Sequence, residues 1–371
     1  MYKKGRAWVE LNIQNLQNNV LEFQRILPEK CNIMPAVKAN AYGHGVIPIC
    51  KALQEFGVHS YCVASLSEAI ELRVAGIDGE ILILGYTHPD DLKEVAKYNL
   101  TQSIIDMQYA KKLGAQNERI KAHIAIDTGM HRLGESWENV EQIATLWNEE
   151  KILVTGVYSH LCVADSKEKS DREYTALQIE RFHDVTEYLE KKGCSFAKHL
   201  QSSYGVLNYE SAEFDYARIG IALYGILSAD GDVVDTPVRL KPVMELKARI
   251  ENIKKIKSGE SIGYGLTYTA QTKQKVAAVS IGYADGIPRS MSNTGYVLYK
   301  GKKAAIIGRI CMDCMLIDVT EFSNIMQGDE VTIIGKSGEE EITAELFAKW
   351  NETITNEIMS RLGERLERII V

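Results

Sequence analysis

The segment KAHIAIDT, residues 121–128, is a short apolar run that ends in polar residues. Similar runs recur along the first part of the chain, and amphipathic segments typical of helices separate them, such as 46–56, 67–75, 89–98 and 170–192. Apolar strands that alternate with helices indicate a parallel sheet covered on both faces. The runs cover residues 32–38, 61–66, 80–85, 102–106, 121–128, 153–161, 198–202 and 216–224.

Eight such runs are the number that closes a (β/α)8 barrel of the TIM type. An open, doubly wound sheet is the alternative, but its G-x-G-x-x-G fingerprint does not follow the first run. The pattern therefore favours a barrel. Ser67 is predicted to cap the helix over 67–75.

The pattern changes after about residue 236, where strand-like pieces crowd together with turn signals between them. These pieces cover 276–281, 296–299, 304–310, 315–319 and 331–334, and two helical stretches follow at 343–351 and 354–362. With Asp235-Thr236-Pro237 as a linker, we expect a barrel over 11–235 and a smaller, mostly antiparallel β domain over 236–371. Residues 1–10 are expected to form a strand that joins the second domain.

Composition excludes some functions. The net charge is −7 and both signs are interspersed, so the basic patch of a nucleic-acid surface is missing. Seven scattered cysteines favour a reduced compartment. Cys311 and Cys314 form a C-x-x-C without a second ligand pair, which favours structural thiols over a metal site.

No apolar run is long enough to cross a bilayer, so we expect a cytoplasmic chain, with the cytoplasmic part of a membrane-anchored protein as an open alternative.

Polar residues follow the ends of several predicted barrel strands. Lys38 ends the first run, Arg132 follows the fifth and His160 closes the sixth. Ser203 follows the seventh run and Arg218 lies in the eighth. Barrel active sites form at the carboxyl ends of the strands, and phosphate often binds after strands seven and eight. A lysine beside a phosphate site suggests a Schiff-base cofactor or a Schiff-base aldolase.

Seven blocks of the sequence resemble the alanine racemase family, in the same order and over essentially the whole chain. The first, AVKANAYGHG (36–45), is similar to the family's attachment motif for pyridoxal 5′-phosphate (PLP). The others are IDTGMHRLG (126–134), YSH (158–160), ARIGIALYG (217–225), GYGLTY (263–268), IGYADG (281–286) and GRICMD (308–313).

The resemblance implies a racemase with two bases, because a proton must leave one face of the α-carbon and return to the other. Lys38 would hold PLP as an imine and act on one face. Tyr264, from the partner subunit of a head-to-tail homodimer, would act on the other face. A free phenol is a poor base, so His160 and Arg218 would tune it through a hydrogen-bonded chain. Arg218 would also face the pyridine nitrogen and, since a guanidinium keeps its protons, leave that nitrogen unprotonated.

Further roles follow from the same resemblance. Arg132 would contact the cofactor's phenolic oxygen and the substrate carboxylate, and the partner subunit would supply Met312 and Asp313 at the entrance. The phosphate would be held by Tyr42, Ser203, Gly220 and Ile221.

Two departures from the family pattern concern substrate and positioning. Ala125 stands where the family often has a carbamylated lysine that steers the arginine at position 132. Asn356 stands where alanine racemases usually have a tyrosine against the substrate methyl group. A smaller amide side chain implies a roomier, polar pocket that favours serine and accepts alanine. This trait resembles the racemase domain of the membrane-bound serine racemases of vancomycin resistance.

Alternative functions remain open at this point. One is a dedicated alanine racemase that makes D-alanine for the cell wall. A second is a non-enzymatic PLP carrier, although such proteins lack the second domain. A third is a decarboxylase of the same architecture, which would have an acidic residue at the position of Arg218. Nothing in the charge pattern supports a transcriptional or nucleic-acid-binding module.

Overall fold

A computed structural model describes residues 4–209 and 214–371, and within these residues eight parallel strands form a closed barrel. After strand β1 (Ala7–Leu11) the barrel strands follow in chain order, and a short accessory strand, β7 (Glu135–Ser136), pairs with β6 (Ile120–Asp127). Backbone pairing of Ala36 with Cys62 and of Ser202 with Arg218 completes the ring. The strands are β2 (Asn32–Ile33), β3 (Ser60–Val63), β4 (Glu80–Ile83), β5 (Thr101–Ile104), β6 (Ile120–Asp127), β7 (Glu135–Ser136), β8 (Ile152–Tyr158), β9 (Ala197–His199) and β10 (Tyr216–Ala217).

Helices cover the outside of the barrel and bury their apolar faces against its strands. They are Ile13–Ile26, Val46–Glu55, Leu66–Val74, Leu92–Lys97, Met107–Gly114, Val140–Ala144, Lys169–Lys191 and Ser203–Asn208. The (β/α)8 fold predicted from the sequence is thereby confirmed. No described helix combines the length and the apolar character that a membrane crossing needs.

The second unit is built on a mostly antiparallel sheet with its own apolar core. In this sheet β1 pairs with β11 (Met244–Ile256) and, in parallel, with the final strand β20 (Glu367–Ile370). A separate hairpin is formed by β12 (Ser261–Ile262) and β13 (Tyr268–Thr269). The strands are β11 (Met244–Ile256), β12 (Ser261–Ile262), β13 (Tyr268–Thr269), β14 (Gln274–Val279), β15 (Tyr296–Tyr299), β16 (Lys302–Ile307), β17 (Met315–Asp318), β18 (Glu330–Ser337), β19 (Glu340–Ile342) and β20 (Glu367–Ile370), and the helices are Ala344–Trp350 and Thr355–Ser360.

These pairings suggest how the chain divides. We propose the barrel over 11–235 and the β domain over 236–371, with β1 contributed to the β domain's sheet.

Two local predictions were wrong. The apolar run predicted as a strand to residue 224 ends as a strand at Ala217, and Ile221–Tyr224 form a 3-10 helix. The cap of helix Leu66–Val74 is Ser65, whose side chain accepts from the backbone N–H of Glu68, and not Ser67. Glu68 reaches back to the N-cap backbone, so the two residues form a capping box.

Candidate active site

A cavity of about 350 Å³ opens at the carboxyl ends of the barrel strands. The structure brings together there all the site residues that the sequence predicted on the barrel, and Asn356 joins them from the second domain. The predicted residues that line the cavity are Lys38, Tyr42, Arg132, His160, Ser203, Arg218, Gly220, Ile221 and Asn356.

Lys38 begins a short helix, Lys38–Tyr42, whose backbone turns to the left-handed region from Ala39 to Tyr42, with φ between 50° and 54°. Residues other than glycine occupy this region at a cost of roughly 1–2 kcal/mol each, so surrounding contacts must hold the turn. Glu68 accepts a hydrogen bond from the Ala39 N–H at 2.8 Å, and Gly43 passes so close to the second domain that a Cβ would lie 2.0 Å from the Met359 carbonyl oxygen. Strain of this kind, held by its surroundings, is typical of functional sites.

Arg218 lies beneath the cavity with only 5% of its surface exposed. Its Nη1 donates to His199 Nδ1 at 2.6 Å and to the His199 carbonyl at 3.0 Å, and its Nη2 donates to the Ser159 carbonyl at 2.5 Å and the Leu200 carbonyl at 3.2 Å. No described residue accepts from its Nε–H, which leaves this donor for a group bound in the cavity. The described chain brings no carboxylate into ion-pair contact with this cation, and burial lowers the pKa of the guanidinium.

His160 lies 3.4 Å from Arg218, measured from Nδ1 to Nη2. Burial, and the positive charges of Arg218, Arg132 and Lys38, lower the pKa of His160 to about 3. The imidazole is therefore neutral near pH 7. Because Arg218 only donates, Nδ1 is the acceptor and the ring proton is on Nε2.

The far wall of the cavity carries hydroxyl and backbone groups without a fixed charge. Ser203 Oγ accepts from the Gly220 N–H at 3.0 Å and from the Ala222 N–H at 3.4 Å. A Cβ at Gly220 would lie 3.0 Å from Tyr42 Oη, so the glycine keeps this space open. Burial raises the pKa of the Tyr42 phenol, so it stays a donor. Hydroxyl and N–H donors after the last two barrel strands fit a phosphate group, and Lys38 on the same cavity fits an aldehyde-bearing cofactor.

Arg132 lies at the mouth of the cavity, where no described side chain pairs with its guanidinium. Its loop is held through the backbone instead. Asp127 accepts from the N–H groups of Gly129 and His131 at 2.9 and 3.0 Å, and Tyr174 donates to the Gly129 carbonyl at 2.7 Å. These contacts, which the sequence did not reveal, hold the backbone of the loop that carries Arg132.

Asn356 approaches the cavity from helix Thr355–Ser360 and accepts a hydrogen bond from Ser228 Oγ at 3.0 Å. Thr355 anchors the helix start by donating to the carbonyls of Leu227 and Ser228, at 2.7 and 2.9 Å. Ser228 and Tyr204 also line the cavity. Sequence reasoning missed both, since neither falls at a predicted strand end with a recognisable spacing.

Tyr264, Met312 and Asp313 do not line this cavity. Tyr264 is at the tip of the β12–β13 hairpin and is 70% exposed, and Met312 is 52% exposed on a neighbouring loop. Asp313 pairs with Arg365 at 2.7 Å, measured from Oδ1 to Nη2. Within one chain, the structure therefore assembles the Lys38, His160 and Arg218 part of the predicted site and leaves these three residues on the surface of the second domain.

The fold and cavity define a barrel enzyme of the PLP-binding type, and comparison with known proteins identifies the family. Residues 11–228 match the model of the alanine racemase N-terminal domain, and residues 243–370 match the model of the alanine racemase C-terminal domain. The chain belongs to the alanine racemase family. Enzymes of this family depend on PLP, so the cofactor predicted from the sequence is confirmed.

Individual relatives carry different names. The chain is 43% identical to an amino-acid racemase of Enterococcus faecalis, over 98% of this chain and 51% of the relative. It is 39% identical to a serine/alanine racemase of Enterococcus gallinarum, over 97% of this chain and 51% of the relative. The chain thus spans about half the length of these curated relatives. Among solved structures, an alanine racemase of Clostridium difficile 630 superposes with a TM-score of 0.93 at 34% identity, covering 100% of this chain and 97% of that one.

Proposed function

We propose that this chain is a PLP-dependent racemase that interconverts the L- and D-forms of a small amino acid. The observation that carries the proposal is Arg218. It is a buried cation beside neutral His160, it lines the same cavity as Lys38, and no carboxylate among the described residues pairs with it. An arginine at this position keeps its protons, which distinguishes the site from one with an acidic partner, as the decarboxylase alternative requires.

Bound PLP supplies an electron sink that makes the α-proton of an amino acid acidic. Lys38 Nζ removes or returns that proton on one face, and Arg132 at the mouth of the cavity binds the substrate carboxylate. Arg218 gives a hydrogen bond but no proton, so the proton returns to the α-carbon. This role makes transamination a minor outcome.

The second face needs a second acid or base. We propose that Tyr264 of the partner subunit fills this role in a head-to-tail homodimer, with the partner's Met312 and the partner's Asp313 at the entrance. The exposure of Tyr264 and Met312 supports this, because it leaves both side chains accessible to a partner subunit. His160 Nε2–H, which donates to no described residue, would donate to the incoming phenol oxygen and stabilise its charged form.

The substrate preference is proposed from the wall formed by Asn356 and Ser228. An amide and a hydroxyl 3.0 Å apart offer hydrogen bonds to a β-hydroxyl group, so we propose that serine is favoured and alanine is accepted. The serine/alanine racemase relative supports this preference. A dedicated alanine racemase is the second candidate, and the close superposition on a structure with that name favours it.

The first experiment tests the cofactor and the reaction. The purified protein should show a cofactor absorption band that borohydride changes irreversibly. It should also convert L-serine to D-serine, as measured by chiral chromatography. Lys38→Ala should lose both properties. A wild-type protein that binds PLP at Lys38 but racemises no amino acid would favour the PLP-carrier alternative.

The second experiment tests the preference. Asn356→Tyr should lower the ratio of kcat/KM for L-serine to that for L-alanine by about ten-fold, because the β-hydroxyl of serine would lose the Asn356 amide as a hydrogen-bond partner. Asn117→Tyr, at an exposed position outside the cavity, is the control and should leave the ratio unchanged. An unchanged ratio in Asn356→Tyr would remove the argument for serine.

A further inference from the structure

Two buried histidines that the proposed reaction does not use lie in the barrel interior, between Arg218 and the far end of the barrel. His199 Nδ1 accepts from Arg218 Nη1 at 2.6 Å, and His199 Nε2 is 2.9 Å from His123 Nδ1. His123 Nε2 is in turn 3.9 Å from Glu80 Oε1. Glu80 is the first residue of β4, and Arg218 follows the last barrel strand. The series Arg218–His199–His123–Glu80, here called the histidine chain, therefore crosses the barrel.

The direction of the protons in the histidine chain follows from Arg218. A guanidinium has donors only, so His199 Nδ1 must be unprotonated and its proton must be on Nε2. That proton is donated to His123 Nδ1, which must also be unprotonated, so the proton of His123 is on Nε2 and faces the Glu80 carboxylate. A second proton on either ring would bring two N–H groups into opposition. Burial and the charge of Arg218 lower the pKa of His123 to about 3 and that of His199 well below its ordinary value.

The surrounding residues pack closely on both rings. Gly156 is the partner of His123 on the adjacent strand β8, and a Cβ there would lie 2.6 Å from three atoms of the His123 ring. Tyr158 stacks on His199 with ring centroids 5.0 Å apart and planes at 11°, and its hydroxyl donates to Ser103 Oγ at 2.9 Å. The Glu80 carboxylate is held by the hydroxyl of Thr101.

We propose that His199, His123 and Glu80 are positioning residues that fix the Arg218 guanidinium through a one-way series of imidazole protons across the barrel. The negative charge of Glu80 favours the Nε2–H form of His123, and this in turn holds the Nε2–H form of His199. His199 then always presents a lone pair to Arg218, so the guanidinium cannot rotate and its Nε–H stays available to the cavity. The effect on catalysis rests on the proposed racemase function, but the proton order does not.

The proton order is tested by nitrogen NMR of the histidine rings in the PLP-loaded protein. We expect three rings, those of His123, His160 and His199, to remain neutral with the proton on Nε2 from pH 8 to pH 5. His123→Leu should remove its own signal, leave that of His160 unchanged and release His199 to a mixture of both tautomers. His183→Leu, at an exposed histidine, should remove one signal and leave the rest unchanged. Finding His199 with its proton on Nδ1, or unaffected by His123→Leu, overturns the proposal.

Kinetics and spectra test the positioning role. His123→Leu should lower kcat by about ten-fold, because the hydrogen bond between the Arg218 guanidinium and His199 is weakened. KM for the amino acid should stay within about two-fold of the wild-type value. It should also shift the absorption band of the bound cofactor. His123→Asn keeps an acceptor near the Nδ1 position and should restore most of kcat and the band. Recovery in this variant would show that the loss of activity in His123→Leu does not come from a folding defect.

Other outcomes separate this inference from the proposed function. If His123→Leu retains the wild-type kcat, the wild-type band and the His199 tautomer, the positioning role is wrong. If the wild type racemises nothing but its histidine signals are as expected, the proposed function fails and the proton order stands.

Discussion

Glu68 is the residue on which the left-handed turn after Lys38 most visibly depends. Four consecutive residues at φ of 50–54° cost roughly 4–8 kcal/mol in total, and the Glu68 carboxylate offsets part of this. It accepts from the Ala39 N–H at 2.8 Å and from the Ala64 N–H at 2.7 Å. A hydrogen bond to a charged group contributes about 1.5–3 kcal/mol. Because Glu68 is partly exposed, we use the lower value for Glu68→Gln, and expect PLP to bind about ten-fold more weakly.

The assay is a PLP titration of the apoprotein that is monitored by absorbance. The unfolding temperature of each variant is measured as a second readout. Glu68→Gln should weaken PLP binding while the unfolding temperature falls by only a few degrees, since the lost interaction is local. Glu71→Gln, on an exposed position of the same helix, is the matched control and should match the wild type. Unchanged PLP affinity in Glu68→Gln would refute the view that this carboxylate holds the Lys38 turn.

Two further predictions concern the phosphate wall and pH. Gly220→Ala should weaken PLP binding by about ten-fold, because its Cβ would lie 3.0 Å from Tyr42 Oη. In a Tyr42→Phe background, which lacks that oxygen, the same change should weaken PLP binding much less. An equal loss of affinity in both backgrounds would contradict the steric reason. Stability against urea should fall as the pH drops below 6.5, because the unfolded histidines bind protons that the buried neutral ones do not. The loss of unfolding free energy approaches about 1.4 kcal/mol per pH unit for each such histidine. A stability that does not change between pH 7 and pH 5 would contradict this prediction. The buried histidines with lowered pKa are His44 (about 4), His123 and His160 (about 3) and His199 (well below its ordinary value).

The barrel was predictable because each strand is a short apolar run bounded by a helical segment. The errors have physical causes. Residues 221–224 are as apolar as a strand, and an apolar run alone does not distinguish a buried strand from a buried helix. The sequence contained two signals that the prediction did not use: the Ser65 to Glu68 capping-box spacing, and the alternation of apolar and charged residues at the start of β11 (Met244–Ile256).

The candidate site was predictable where polar side chains end barrel strands or match family blocks. The left-handed turn was not, because Ala39 to Tyr42 contain no glycine and only contacts with Glu68 and the second domain hold it. Ser228 was missed for a similar reason. It reaches the cavity through the packing of helix Thr355–Ser360, which no local pattern encodes.

The proposed racemase needs Lys38 from one subunit and Tyr264 from the other, and subunit mixing tests this most directly. Lys38→Ala and Tyr264→Phe should each be inactive alone. Unfolding and refolding them together should give mixed dimers in which one site carries both changes and the other carries none. About half of the dimers are mixed and each has one intact site of two, so L-serine racemisation should recover to about a quarter of the wild-type rate. No recovery, in mixtures where mixed dimers form, would contradict a site shared between subunits.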